Sequence, residues 1–253
     1  MSAQTTRPVV IVTGGTGGIG TAIAAALLAA GNAVVLTGRS TEQGAAVVEQ
    51  LGEYAAFVAA DHSLGETPGA VMDAVAGLGE RFGELHGLVN NVGRRHNDVI
   101  GEHTAERLAE TLALNVTSAI LMTQAVVPAM PAGGSIVNVS SRLAVAGMPG
   151  VSGYAASKAA LNGFTVASSI ELAPKRIRVN AVAPGMTKTP LIEAWLAEQP
   201  DPAAAEADQA GKVPLGKLCS PEDVGAAVAF LVSPAAAYLT GTILPVDGGY
   251  TAA

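Results

Sequence analysis

Short runs of β-branched and other aliphatic residues recur along the chain, separated by longer alanine-rich stretches. Runs that are apolar at consecutive positions are typical of strands buried on both faces of a parallel sheet. The predicted strands are residues 9–12, 33–37, 54–59, 87–90, 135–139, 178–182 and 242–246.

The stretches between the first six runs are mostly long enough to return the chain as a helix. Parallel strands require such crossovers, so the pattern predicts repeated β-α units. We expect an α/β fold: a single doubly wound Rossmann-type domain over residues 1–253, with a seven-stranded, mainly parallel sheet and helices on both faces. Linker-like composition occurs only near residues 199–202 and 211–216, which predicts a small substrate lobe at about residues 187–216 rather than a second domain.

Composition narrows the function. The 253 residues are 49% hydrophobic and 14% charged, which is enough apolar material for a large core. The formal net charge of −7 argues against a nucleic-acid surface, which needs clustered cations. The single cysteine, Cys219, excludes an intramolecular disulfide and offers no metal-ligand spacing. We therefore expect no nucleic-acid partner and no metal site.

Targeting features are sparse. No basic stretch followed by an apolar core opens the sequence, so the pattern predicts no secretion signal. The longest apolar helical stretch is assigned to residues 22–30, well short of the roughly 20 residues that cross a bilayer. These features predict a cytoplasmic protein without a membrane span.

A glycine-rich segment follows the first predicted strand and precedes an apolar helix. It reads Thr13-Gly14-Gly15-Thr16-Gly17-Gly18-Ile19-Gly20. Glycine permits unusual dihedrals and close approach to bare backbone, and the helix start offers unpaired N–H groups and a positive dipole end. This order of elements is the context that a dinucleotide pyrophosphate requires, although a plain structural turn is an alternative.

Three further motifs accompany this loop: Asn90-Asn91-Val92-Gly93, Tyr154-x3-Lys158, and Pro184-Gly185 followed by Thr189. With the Gly-x3-Gly-x-Gly spacing of the loop, they resemble the short-chain dehydrogenase/reductase family over nearly the whole chain. The resemblance implies a nicotinamide-dependent oxidoreductase that interconverts a carbonyl and a secondary alcohol. Val92 stands where the family usually has alanine.

The resemblance also assigns roles at the cofactor. It implies that Asp61 contacts the adenine ring, that Asn90 braces the sheet near the adenosine ribose, and that Thr189 contacts the nicotinamide end. Asp61 and Asn90 could instead simply bond neighbouring backbone. The predicted cofactor-binding residues are Gly14, Thr16, Gly18, Ile19, Gly20, Arg39, Asp61, Asn90, Tyr154, Lys158, Pro184, Gly185, Thr187 and Thr189.

Tyr154 and Lys158 are four residues apart among good helix formers, so they share one helix face. A nearby ammonium favours the phenolate and would lower the tyrosine pKa from near 10. Ser141 closes the fifth strand, at the carboxyl edge where such sheets bind ligands. The resemblance selects Ser141 rather than Ser140 and adds Asn115, giving the predicted catalytic set Asn115, Ser141, Tyr154 and Lys158.

Cofactor preference rests on the end of the second strand. An NAD-preferring site usually places a carboxylate there for the ribose 2′-hydroxyl. This chain has Gly38 instead, followed by Arg39, which can bond a 2′-phosphate, with Thr37 and Ser40 as further donors. We expect NADP(H) to be favoured over NAD(H).

Two other functions remain open. A β-ketoacyl-carrier-protein reductase would use the basic Arg94, Arg95 and Lys175 to meet an acidic carrier. A dinucleotide-binding regulator without catalysis would share the fold. Serine hydrolysis does not fit, because Ser141 lies outside Gly-x-Ser-x-Gly. The histidines are interpreted as structural or surface residues: His62, His86, His96 and His103. His96 is an exception in one respect, because it lies in a loop that could border the pocket.

Substrate identity depends on residues 143–151 and 186–195, which suggest an apolar pocket. The resemblance further implies a homo-oligomer, in particular a homotetramer. Its interfaces would be built from residues 104–130, 152–173 and 221–246.

Overall fold

A computed structural model describes residues 6–78 and 82–253. In these residues one seven-stranded parallel sheet has the order β3-β2-β1-β4-β5-β6-β7. The predicted α/β Rossmann-type fold is confirmed, and every strand pairing is parallel. Residues 1–5, on which the prediction about a secretion signal partly rests, lie outside the described residues. The strands are β1 (Val9–Val12), β2 (Ala33–Gly38), β3 (Ala55–Ala59), β4 (Leu85–Asn90), β5 (Ser135–Val139), β6 (Arg178–Pro184) and β7 (Ile243–Val246).

Helices cover both faces of the sheet. On one face, α1, α2 and α9 pack on side chains such as Val10 and Val12 of β1. On the other face, α3, α5 and α6 pack on Val9, Ile11 and their neighbours. The helices are α1 (Gly18–Ala29), α2 (Thr41–Leu51), α3 (Thr67–Ala76), α4 (Ala105–Leu112), α5 (Ser118–Val126), α6 (Ser152–Leu172), α7 (Pro190–Ala197), α8 (Pro202–Gly211) and α9 (Pro221–Val232).

Alternation along β1 explains the two-sided core. Successive side chains of a strand point to opposite faces, and both faces are covered, so all four residues of β1 are buried. Small residues then let the helices approach closely. A Cβ added at Gly225 of α9 would lie 2.7 Å from the carbonyl oxygen of Ala22 in α1.

All seven predicted strands are present, with end points that differ by one or two residues. β4 begins at Leu85 rather than residue 87, because a register irregularity at Val9 and Val10 lets Leu85 pair with Val9. Differences of this size are usual where strand ends are defined by hydrogen bonds.

The expectation about the longest apolar helix is wrong. Ala105–Ala129 forms a continuous helical run of 25 residues that contains an 18-residue window with a mean hydropathy of 1.5, so it is long and apolar enough to cross a bilayer by length and composition. The run includes α4, a π-helical segment at Ala113–Thr117 and α5. Because it packs against α3, β4 and α6, this length is weak evidence for a membrane span.

The strand order reverses between β1 and β4, which is where doubly wound sheets bind ligands. Side chains join the carboxyl ends of these two strands. The Thr13 hydroxyl oxygen accepts hydrogen bonds from the backbone N–H groups of Asn91 (3.0 Å) and Val92 (3.2 Å). Asn91 Nδ2 donates in return to the carbonyl oxygens of Thr13 (3.1 Å) and Gly14 (3.0 Å).

Candidate active site

The glycine loop between β1 and α1 has no space for larger residues. Gly14 has a φ of +63°, a region that favours glycine. A Cβ at Gly20 would overlap the carbonyl oxygen of Gly14, and one at Gly18 would lie 2.9 Å from Pro190 Cδ. Gly17, which precedes α1, makes no side-chain cap, so the first N–H groups of the helix remain for a ligand. Thr16 and Ile19 line the same loop, both partly buried.

Lys158 is buried on the inner face of α6. Its Nζ donates a 2.8 Å hydrogen bond to the carbonyl oxygen of Val139, the last residue of β5. Burial lowers the pKa of Lys158 from 10.5 to about 8. Ser140 is on the same side and donates a 3.3 Å bond to the Lys158 carbonyl oxygen.

Tyr154 lies one helical turn before Lys158, with the ammonium 5.8 Å from its ring centre. The expected lowering of its pKa is not found: burial raises the pKa of Tyr154, while a hydrogen bond to Ser141 and the charge of Arg95 partly oppose the rise. The physical reason is that desolvation of the phenolate outweighs these contacts. The tyrosine therefore begins as the neutral, proton-bearing form.

Ser141 stands at the carboxyl end of β5. Its Oγ accepts a 3.1 Å hydrogen bond from the N–H of Leu143, so its own proton remains available to an oxygen in the pocket. Ser141 and Tyr154 hydroxyls thus converge on one side of the Lys158 ammonium.

Asn115 lies in the π-helical segment at Ala113–Thr117, a distortion that often marks functional sites. Its side chain is buried and fully bonded. Oδ1 accepts from the N–H of Arg94 (2.7 Å), and Nδ2 donates to the Arg94 carbonyl oxygen (2.9 Å) and to Ser157 Oγ (2.9 Å). Ser157 donates onward to the Tyr154 carbonyl oxygen at 2.7 Å. Asn115 therefore connects the loop after β4 to the helix that carries Tyr154.

Gly93 is a site residue that sequence reasoning quoted in a motif without giving it a role. A Cβ there would lie 3.2 Å from Lys158 Nζ and 3.3 Å from Asn115 Oδ1. The motif Asn90-Asn91-Val92-Gly93 drew attention to this position. The contact with Lys158 was not predictable, because the two residues are 65 positions apart and meet only in the folded chain.

The adenosine end differs in part from expectation. A Cβ at Gly38 would lie 3.0 Å from Thr16 Oγ1, and Arg39 is exposed beside it. The prediction that Thr37 is a further phosphate donor is wrong. Thr37 is buried, and its hydroxyl is hydrogen-bonded to His62 Nε2 at 2.7 Å. Burial lowers the pKa of His62 to about 4, so this histidine is neutral near pH 7.

Asp61 and Asn90 both form hydrogen bonds with other residues of the protein. Asp61 Oδ1 accepts from the N–H (3.0 Å) and Oγ (2.7 Å) of Ser63, contacts that lower the Asp61 pKa. Asn90 Nδ2 donates to Asn138 Oδ1 at 2.8 Å and so braces β4 against β5. Ser40 caps α2 by accepting from the Gln43 N–H at 3.2 Å.

The loop after β6 brings the remaining predicted residues to the glycine loop. Pro184 ends β6, and a Cβ at Gly185 would lie 3.0 Å from Asp247 Cα. Thr187 is buried and donates to the Gly185 carbonyl oxygen at 3.2 Å. Thr189 precedes α7 and lies beside Gly18.

Arg142, the residue after Ser141, makes a contact that the sequence did not predict. Its guanidinium carbon lies 3.6 Å from the ring centre of Tyr250, near the end of the chain. The Asp247 carboxylate lies close enough to stabilise the positive charge of Arg142. It accepts hydrogen bonds from Thr251 N (3.0 Å) and Oγ1 (2.6 Å). The segment after β7 is therefore packed against the loop that carries Ser141.

The remaining histidines support the interpretation as structural or surface groups. His103 Nε2 lies 2.8 Å from Ser152 Oγ, at the start of α6, and His96 contacts Arg107 at 3.1 Å. His86 is partly buried at the beginning of β4, the opposite edge of the sheet. Across residues 6–78 and 82–253, no group of three or more histidine, cysteine or carboxylate side chains is placed to hold a metal ion.

Comparison with known proteins agrees with this arrangement. Residues 14–251 match the family model described as enoyl-(acyl carrier protein) reductase. The chain is 37% identical to a 3alpha-hydroxysteroid dehydrogenase of Mediterraneibacter gnavus, over 95% of both chains. It is 36% identical to a cis-4-hydroxycyclohexanecarboxylate dehydrogenase of Sinomonas cyclohexanicum, over 96% of both.

A third relative is the 3-oxoacyl-(acyl-carrier-protein) reductase of Vibrio cholerae serotype O1, 35% identical over 95% of this chain and 96% of that protein. These matches extend over nearly the whole length of each chain and include both the glycine loop and the residues around Tyr154. The protein is therefore an oxidoreductase that belongs to the short-chain dehydrogenase/reductase family.

Proposed function

We propose that this protein interconverts a carbonyl compound and a secondary alcohol, with NADP(H) as the hydride carrier and Tyr154 as the proton donor or acceptor. The observation that carries the proposal is the convergence of the Ser141 and Tyr154 hydroxyls beside the buried Lys158 ammonium, at the carboxyl edge of the sheet.

The glycine loop fits a dinucleotide. Backbone fills the position where a side chain at Gly20 would lie, and the positive φ of Gly14 favours glycine. The uncapped start of α1 offers N–H groups to a pyrophosphate. When bound, the nicotinamide supplies or takes up the hydride at the carbonyl carbon.

The chain's own residues handle the proton and the oxygen. In reduction, Ser141 donates a hydrogen bond to the carbonyl oxygen as negative charge develops there, and Tyr154 transfers its phenolic proton to that oxygen. The raised pKa of Tyr154 keeps this proton in place until the oxygen becomes basic. In oxidation the steps run in reverse: Tyr154 must first have lost its proton, and the phenolate then takes the proton of the alcohol. Asn115 positions Tyr154 through Ser157, and Lys158 lies beside the phenol as a cation.

NADP(H) preference rests on Gly38 and Arg39. Position 38, the last of β2, holds glycine rather than a carboxylate that would repel a 2′-phosphate, and Arg39 is exposed beside the capped start of α2. The test compares kcat/KM for NADPH and NADH in the wild type and in Arg39→Ala. We expect the substitution to weaken NADPH use selectively. A wild-type preference for NADH, or an equal loss for both cofactors, would contradict the assignment.

The substrate lobe is proposed at residues 187–216, which contain α7 and α8. Leu191 and Trp195 of α7 are exposed near the glycine loop, as expected for a wall that a substrate covers. Initial rates over cyclic ketones, steroid ketones and acyl thioesters test both the reaction and the pocket.

The family model and the Vibrio relative favour a second candidate, a 3-oxoacyl-(acyl-carrier-protein) reductase. The three cations first considered for carrier docking do not form one patch. Arg94 is paired with Glu110 at 3.5 Å, and Lys175 precedes β6 at the opposite edge of the sheet. Turnover of acyl thioesters well above that of cyclic ketones would favour this candidate.

We further propose a cytoplasmic homotetramer. Apolar side chains are exposed on the helices expected at the interfaces, including Ile120, Val166, Ile170 and Phe230. Pairing of these faces removes apolar surface from water, and closed twofold symmetry is the usual arrangement. Light scattering that shows a monomer independent of dilution would reject the tetramer.

A further inference from the structure

The arginine-rich loop after β4 lies against the catalytic residues. Gly93 lies beside Lys158 and Asn115, and Asn115 holds both backbone polar groups of Arg94. Arg95 is the next residue and its side chain is exposed. The backbone at its base is therefore fixed relative to the catalytic residues.

The cations near this loop differ in their partners. Arg94 lies 3.5 Å from Glu110, and Arg107 lies 2.9 Å from Asp98. Within residues 6–78 and 82–253, Arg95 has no ion pair. Its nearest arginine neighbour already occupies Glu110, which His96 also approaches at 3.5 Å.

The other cations at the carboxyl edge also have protein partners or lie elsewhere. Lys188 pairs with Glu206, Lys217 approaches Asp223, and Arg142 stacks on Tyr250. Lys158 bonds backbone. Arg39 is at the adenosine end, after β2. Among the described residues, this leaves Arg95 as the unpaired guanidinium at the substrate end.

Large apolar side chains are also exposed in the loops at this end of the sheet. Val145 is 76% exposed in the loop after Ser141, Leu191 is 75% exposed on α7, and Ile100 is 83% exposed beyond the arginine loop. Apolar walls with one polar anchor are typical of sites for small molecules that carry a single charged group. The charge of Arg95 also reaches Tyr154, whose pKa it lowers slightly against the effect of burial.

We propose that Arg95 selects carbonyl and alcohol substrates that carry a carboxylate on an apolar body. The carboxylate pairs with the Arg95 guanidinium while the carbonyl oxygen contacts Ser141 and Tyr154. A guanidinium suits this role because it forms charge-assisted, bidentate bonds to a carboxylate. The inference rests on the proposed function and adds a substrate class to it.

Two matched pairs of probes test the inference at two distances between carbonyl and acid. The short pair is 4-oxocyclohexanecarboxylate and its methyl ester, and the long pair is a 3-oxo steroid acid with a carboxylated side chain and its methyl ester. We expect kcat/KM for the acid to exceed that for the ester by at least tenfold in one pair. That preference should decrease as salt concentration rises, because salt screens an exposed ion pair.

Variants identify the residue responsible. Arg95→Gln should lower kcat/KM for the preferred acid by about tenfold, mainly through KM, and leave its ester unchanged. Arg95→Lys should retain part of the preference. Lys175→Gln is the matched control, since it removes the same charge at the opposite edge of the sheet and should change neither substrate.

Turnover of the esters with no preference for either acid would overturn the inference alone. Equal losses for acid and ester in Arg95→Gln would also overturn it, because they indicate a structural effect. If none of the four ketones reacts while other carbonyl compounds of the wider panel do, the inference alone is overturned. Failure of the wild type to turn over any carbonyl compound of that panel would overturn the proposed function, and this inference with it.

Discussion

The catalytic cluster and its rim differ in how completely the protein contacts their side chains. Asn115 and Lys158 are 1% and 3% exposed, and their polar atoms bond backbone or neighbouring side chains. Leu191 and Val145 at the rim are mostly exposed. The side chains of the bonded cluster are held in one arrangement, as the proposed proton transfer requires, whereas the rim presents apolar surface that a substrate could cover.

The largest expected effect is at the proton-bearing oxygen. Tyr154→Phe should lower kcat by roughly a thousandfold or more while the fold and cofactor binding remain nearly intact, because only the proton donor is lost. Tyr238→Phe is the matched control on a fully exposed tyrosine. Steady-state rates with cofactor titration provide the measurement, and near wild-type turnover in folded Tyr154→Phe would remove Tyr154 from the mechanism.

Lys158→Met separates activity from stability within the cluster. Burial places the Lys158 pKa at about 8 in the folded state, against 10.5 as its ordinary value. Between these values the unfolded chain binds more protons than the folded chain, so the free energy of unfolding rises with pH in that window. The difference between the two pKa values corresponds to about 3 kcal/mol. Below pH 8, burial of the ammonium lowers the free energy of unfolding by this amount.

Lys158→Met should be inactive, because it removes the cation beside Tyr154. It should nevertheless be more stable than wild type at pH 7, because it also removes the buried charge. That gain should shrink by about 2 kcal/mol at pH 9.5, where part of the wild-type cost is relieved. Urea denaturation at both pH values measures it, with exposed Lys175→Met as the control. An advantage that is the same at both pH values would show that Lys158 is not titrating in the folded protein.

Gly93→Ala tests how tightly the cluster is built. The new methyl group would lie 3.2 Å from Lys158 Nζ and 3.3 Å from Asn115 Oδ1, so one of these groups must shift by a few tenths of an ångström. We expect kcat to fall about tenfold, since small displacements of catalytic groups are costly. Gly69→Ala in α3, where a Cβ meets open space, is the control. Unchanged kcat in Gly93→Ala would indicate a looser cluster.

The smallest effect is expected at the rim. Trp195→Ala removes a half-exposed side chain of α7, so it should change KM by roughly threefold to tenfold in a substrate-dependent way and leave kcat nearly constant. Ranking several ketones by KM before and after the substitution measures this. A large fall in kcat for every ketone would show that Trp195 acts together with the cluster, and would contradict the difference between cluster and rim.

Much of the fold was readable from sequence because its signals are local. Buried parallel strands are continuous apolar runs, and the glycine loop lies between a strand and a helix. The same holds for Tyr154 and Lys158, whose spacing alone places them on one helix face. Gly14 was likewise placed by its position after the first strand, and Gly20 by its position at the start of the helix that follows. Ser141 was placed after the fifth strand, and the family resemblance distinguished it from Ser140.

The rest depends on contacts between distant residues. The hydrogen bond between Thr37 and His62 removes a predicted phosphate donor, and no local sequence pattern predicts this bond. The raised pKa of Tyr154 reflects burial, which the sequence does not measure. The run at Ala105–Ala129 was not identified as the longest apolar helical stretch, because Asn115 and Thr117 interrupt its apolar pattern while the helix continues through a π-helical segment.

The contact between Arg142 and Tyr250 has a practical consequence for protein production. Tyr250 stacks on the residue that follows Ser141, only three residues before Ala253. An affinity tag or reporter joined after Ala253 would therefore lie close to the loop that carries Ser141 and could disturb its position. A fusion before β1 would join the opposite edge of the sheet, so comparing kinetics of the two fusions would reveal whether a measured rate belongs to the enzyme or to its tag.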